Sequence, residues 1–73
     1  MSFLLTIYYF LEKEFIRDSD KWFTAKEISY EVGLSIDQTR RHLCSLRISG
    51  DVETKVEGWY DVYRFKNGRR KLH

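Results

Sequence analysis

Along the first seventeen positions Phe3, Ile7, Phe10, Leu11 and Phe15 recur at helical spacing. This predicts a helix, α1, from Phe3 to about Arg17, with Ser2 available as its N-cap. Leu5, Tyr9 and Ile16 lie about 180° from Ile7 at 100° per residue. Glu12 is the only charge among them. A helix with two apolar sides is expected either to tuck the second under the C-terminal end or leave it partly exposed, or to bury it against another copy of the chain.

Asp18, Ser19, Asp20 and Lys21 interrupt the pattern, and the apolar pair Trp22-Phe23 is long enough only for a bridging strand. With Thr24 as N-cap, Glu27 falls at the third helical position and Phe23 can pack on Ile28 as a hydrophobic staple. The spacing predicts a helix over Ala25 to Val32, burying Ile28 and Val32, with Gly33 as the left-handed residue that ends it. Only Leu34 separates that stop from Ser35, a second N-cap with Gln38 three residues on. Two capped helices joined this tightly form a helix-turn-helix. The second runs from about Ile36 to Ser49, keeps Thr39, Leu43 and Leu46 within about 40° of one another on its buried side, and closes at Gly50. Beyond it Val52, Thr54 and Val56 alternate with Glu53, Lys55 and Glu57, Gly58 marks a turn, and Trp59 to Phe65 is aromatic and β-branched. The expected fold is α+β, ordered α1-β1-α2-α3-β2-β3, with a C-terminal β-hairpin.

At 73 residues the chain is one domain, and a domain this short buries only about 60% of its unfolded surface. A second copy could supply missing core. The absence of repeats, low-complexity tracts and Pro- or Ser-rich linkers gives no internal boundary, so residues 1–66 are read as the domain and 67–73 as a basic tail. The net charge is only +2, but it is unevenly placed. Residues 1–35 carry four Lys/Arg against six Asp/Glu (4 − 6 = −2), and residues 36–73 carry nine against five (9 − 5 = +4). The basic half is the one to search for a polyanion site.

Other chemistry is thin. Cys44 is the single cysteine, so no internal disulfide can close, and with two distant histidines it cannot complete a structural zinc site. Without a resolving thiol, Cys44 gives redox sensing no support, and His42, about 60° from the core centre, reads as a boundary packing residue. The opening FLLTIYYFL lacks a basic leader and a small-residue cleavage site, and at nine residues it falls short of ~30 Å of hydrocarbon. A soluble cytoplasmic protein is expected. Neither a Ser/His/Asp cluster, a paired-carboxylate array nor a Gly-rich phosphate loop is present, so no enzyme and no cofactor is expected.

The segment IS-x3-GLS from Ile28 to Ser35, the apolar positions Thr39, Leu43 and Leu46, Gly50 followed by Val52, and the aromatic strand VYRF at 62–65 together resemble the winged helix-turn-helix domain of bacterial and archaeal repressors of the multiple-antibiotic-resistance and arsenic-resistance types. The resemblance covers about residues 22–66. Thr39 stands where such proteins often carry Val, Ser29 where they carry Ala, and Asp51 where they carry an apolar residue.

The resemblance implies that the helix at 36–49 reads double-stranded DNA in the major groove. Measured from Thr39, Arg40 lies near ~100°, Asp37 near ~160° and Arg41 near ~200°, all off the core. A guanidinium there can bond a guanine edge bidentately or grip phosphate. Gln38 and Ser35 are candidates for a base edge and a phosphate, although capping already accounts for both. Lys55, Arg64 and Lys66 on the hairpin, and Arg69 and Arg70 in the tail, are further candidate phosphate contacts, while Glu57 near the wing tip argues against deep groove entry. Leu5, Tyr9 and Ile16 are the candidate homodimer contact. The competing expectation is a winged helix that binds a protein partner in a replication, transcription or viral complex, through exposed apolar residues among Leu5, Tyr9, Ile16, Ile48 and Trp59.

Overall fold

Both predicted capping boxes form, and they fix where the two central helices begin. Thr24 Oγ1 accepts from the Glu27 N–H at 3.1 Å while the Glu27 carboxylate accepts from the Thr24 N–H at 2.9 Å. Ser35 Oγ accepts from the Gln38 N–H at 3.1 Å, and Gln38 Oε1 accepts from the Ser35 N–H at 3.3 Å. Each box satisfies helix-start donors that would otherwise be orphaned. Gly33 ends the first of these helices with φ 77°, its N–H donating to the Ser29 carbonyl at 2.9 Å. A side chain in that left-handed conformation would be strained, so glycine makes the sharp junction possible.

The computed structural model describes residues 2–66. The elements are α1 (Phe3–Arg17), β1 (Phe23–Thr24), α2 (Ala25–Val32), α3 (Ile36–Ser49), β2 (Val52–Glu57) and β3 (Tyr60–Phe65), in the expected order. The proposed tail, 67–73, and with it Arg69 and Arg70, lies outside the described residues. The strands form one antiparallel sheet, β1-β3-β2. Phe23 pairs with Tyr63 and Thr24 with Val62, while β2 pairs with β3 from Val52↔Phe65 to Glu57↔Tyr60.

Three helices and one sheet face share a core of Ile7, Leu11, Phe23, Ala25, Ile28, Leu43, Leu46, Val52 and Phe65. Removing each of its large aliphatic side chains from water stabilises the fold by about 1.5–3 kcal/mol. Tyr8 and Phe15 close over Phe65, with ring centroids 5.4 and 5.7 Å away. Thr39, Leu43 and Leu46 are all buried, so α3 is anchored by the side the sequence nominated.

Four expectations shift. Ser2 occupies the N-cap position of α1 but makes no side-chain cap bond. Its carbonyl instead accepts from Thr6, N–H and hydroxyl both. Phe3 lies on the core stripe yet stays 52% exposed, while its neighbour Leu4 packs against the core in its place. Val32, expected in the core, is only half-buried. Trp59, expected in the second hairpin strand, sits in the turn with Gly58, whose φ of 65° is the positive value two-residue hairpin turns require at their first central position.

Candidate nucleic-acid interface

The start of α3 is held by the Ser35–Gln38 box and its flank by the core, so its outer side chains project from a rod about 21 Å long. Arg40 and Arg41 are both exposed, as are Asp37, Gln38 and Ser35. Ser35 and Gln38 are occupied by the capping box. Asp37 lies in the first turn, where a carboxylate complements the helix dipole.

Sequence reasoning missed Arg47. It is exposed on the last turn of α3, seven residues after Arg40 and so within about 20° of it around the helix. The same wheel that placed Arg40 and Arg41 would have found it. Tyr63 on β3 reports where the pair points: burial pushes its phenol above the ordinary value and Asp61 adds to that, while the positive charges of Arg40 and Arg47 pull the other way. Arg40 lines a groove with Tyr63, Arg47 lies on the same flank of α3 by helical spacing, and Arg41 lies about 100° further round. Among the described residues, none of the three arginine side chains makes a hydrogen bond or ion pair.

The wing cations are placed differently. Residues directly opposite in an antiparallel pair share a sheet face, so Lys55, Arg64 and Glu53 lie on the face away from Val52, Phe65 and α3. There, Arg64 is drawn inward. Its Nε and Nη2 donate to Glu53 at 2.9 and 2.6 Å, its Nη1 donates to the Ser19 carbonyl at 2.8 Å, and its guanidinium lies 4.3 Å from the Trp22 ring centre. Lys55 Nζ lies 4.4 Å over the same ring and 3.8 Å from Glu57. Two cations nominated for DNA thus brace the hairpin against Trp22, and Arg64 has its donors committed inside the fold. Lys66 is exposed, but it follows β3 at the end opposite the turn, about 20 Å along the strand from Tyr60. The structure does not gather it with the α3 arginines.

Between the starts of α2 and α3 and the wing tip lies a groove of about 490 Å³, lined by residues that include Lys26, Arg40, Trp59, Tyr60, Asp61 and Tyr63. The sequence marks Trp59 only as an exposed apolar residue and Lys26 not at all, because nothing local in it says that the first turn of α2 faces the wing. Leu5, Tyr9 and Ile16 are exposed on α1, as a contact face requires.

One solved chain with this architecture comes from a study of the DNA recognition and protein interaction domains of HOP2, with a TM-score of 0.72 over 89% of this chain and 100% of that one. The fold is a winged helix. Sequence identity between the two is 17%, so the likeness concerns backbone architecture. No protein-family model matches the sequence, and no curated protein matches it. Among the described residues no helix is long and apolar enough to cross a membrane, and no group of His, Cys, Asp and Glu could hold a metal ion.

Proposed function

We propose that this chain is a non-enzymatic, cofactor-free regulator that binds double-stranded DNA sequence-specifically, with α3 in the major groove, and that it works in the cytoplasm as a homodimer. One observation carries the reading: Arg40, Arg41 and Arg47 project from a capped helix anchored by Thr39, Leu43 and Leu46, and no described residue takes up their donors. An α-helix fits a groove about 12 Å wide, and an arginine in it can discriminate guanine by about 1–3 kcal/mol. The HOP2 study concerns DNA recognition and protein interaction, and the resemblance to winged-helix repressors points the same way. A two-fold dimer would set its third helices about 34 Å apart on a palindromic site.

Fluorescence anisotropy on labelled duplex DNA at 50 and 200 mM salt tests it. If the three arginines each neutralise one phosphate, the log–log slope is about −2.7 per protomer, so quadrupling salt weakens binding roughly fortyfold for each protomer engaged, and by about the square of that for the dimer. Arg40→Ala combined with Arg41→Ala should lower both affinity and slope. Affinity indifferent to salt and to those changes would sink the proposal.

A second reading, a winged helix that binds a protein partner, is supported by the exposed Leu5, Tyr9 and Ile16 of α1. Capture of a purified partner that ignores loss of both arginines would favour it, provided DNA binding is absent.

A further inference from the structure

Trp59 is 97% exposed, an unusual position for an indole, whose ring carries a large apolar area. Its mount is short. Glu57 and Tyr60 are the last paired residues of the hairpin, leaving only Gly58 and Trp59 to turn the chain. The base of the hairpin is held by Arg64 and Lys55 over Trp22. A tryptophan side chain has only two torsions to fix when something packs on it.

The surroundings narrow what that something is. Trp59 lines the groove together with Tyr60 and Tyr63, and with the cations Lys26 and Arg40. Lys26 and Arg40 make no ion pair among the described residues. Aromatic rings interleaved with cations are the combination that holds single-stranded nucleic acid, with bases stacking on the rings and phosphates meeting the charges. Asp61, also in the groove, suits a base amino group, which donates, and would repel a phosphate. A volume near 490 Å³ lies in the range of small-ligand pockets, room for one nucleotide and too little for a duplex. Base faces inside an intact duplex are covered by their neighbours, so without wedging the stack apart a ring at the tip meets either a terminal pair, whose bases are fixed in place, or an unpaired base, which is free to turn into the groove. Glu57, beside the tip, opposes entry of the wing between two phosphate backbones.

We infer that the groove between α3 and the wing receives an unpaired nucleotide adjoining the bound duplex, its base stacked on Trp59 and its phosphate near Lys26 and Arg40. This rests on the proposal that α3 binds duplex DNA. The chain would then favour a duplex bearing a single-stranded extension or an extruded base over the same duplex with blunt ends.

Anisotropy titrations compare one blunt duplex with the same duplex carrying a short adenine overhang, whose base offers an amino group to Asp61, and with the free overhang strand. The parent should bind the overhang duplex about fivefold or more tighter than the blunt one, the lower end of what stacking on one aromatic contributes. Trp59→Ala should abolish that preference while changing blunt-duplex affinity less than about twofold, and Trp59→Phe should retain most of it. With 2-aminopurine as the first unpaired base, binding to the parent should quench its fluorescence and binding to Trp59→Ala should not. Equal affinity of the parent for blunt and overhang duplexes, or an equal loss on both with Trp59→Ala, overturns the inference alone. Binding to the unpaired strand without duplex binding overturns the α3 proposal and leaves the stacking role standing, and a chain that binds none of the three overturns both.

Discussion

Thr39 offers the sharpest test of how α3 is seated. It is 0% exposed, and its Oγ1 is buried with no hydrogen-bond partner among the described residues. A helical threonine usually turns its hydroxyl to the carbonyl four residues back. Here that carbonyl, of Ser35, accepts from the Thr39 N–H at 3.0 Å, and the hydroxyl is turned away from it into the body. An orphaned buried hydroxyl costs about 1–3 kcal/mol. Thr39→Val keeps the branched shape and nearly the same helix propensity, removes that penalty, and puts a methyl where the hydroxyl was. The variant should be more stable by about 1–2 kcal/mol, raising Tm by roughly 5–10 °C for a domain of this size. Urea unfolding followed by circular dichroism measures it, with an unchanged slope and a higher midpoint. DNA affinity should not move, because the side chain points into the body. A variant destabilised by about 1 kcal/mol or more would show that the hydroxyl has a partner and that the packing of α3 described above is wrong.

Arg64→Ala should lower stability by about 1–2 kcal/mol, through loss of the Glu53 and Ser19 bonds and the Trp22 contact, while leaving DNA affinity within about twofold; a large loss of binding with no loss of Tm would return Arg64 to the interface. Leu5→Glu should convert a dimeric parent to a monomer in sedimentation at micromolar concentration, and a parent already monomeric rules out association through α1. Partial burial, with the nearby Asp61 charge, pushes the Tyr63 phenol above its ordinary value of 10.0. A raised folded-state value means its contribution to stability is intact below pH 10 and is lost as pH climbs through the folded-state value. Tyr63→Phe should therefore unfold less steeply than the parent above pH 10 in a pH series of urea midpoints, and identical alkaline limbs would contradict the burial.

The elements were legible because their ends are written locally. Thr24 with Glu27, Ser35 with Gln38, and Gly33 and Gly50 are short-range signals, and each forms the bond its spacing implies. The buried stripe of α3 was equally readable, since a helix repeats its faces with a fixed period. What failed depended on distance in sequence. Arg64 reads as a surface cation until the fold brings Trp22 and the Ser19 carbonyl to it, and Phe3 reads as core because periodicity does not reveal that Leu4 beside it takes the core contact. Lys26 and Trp59 share a groove only once α2 and the wing meet. Arg47 is the exception, for its position follows from Arg40 by simple helical geometry.

An amide chemical-shift titration with duplex DNA addresses the central claim most directly. The account predicts that the largest shifts fall on Ser35 to Ser49, with Arg40, Arg41 and Arg47 side-chain signals moving with them, and that α1 stays still. Shifts concentrated on α1 around Leu5 and Tyr9, with α3 unmoved, would contradict it.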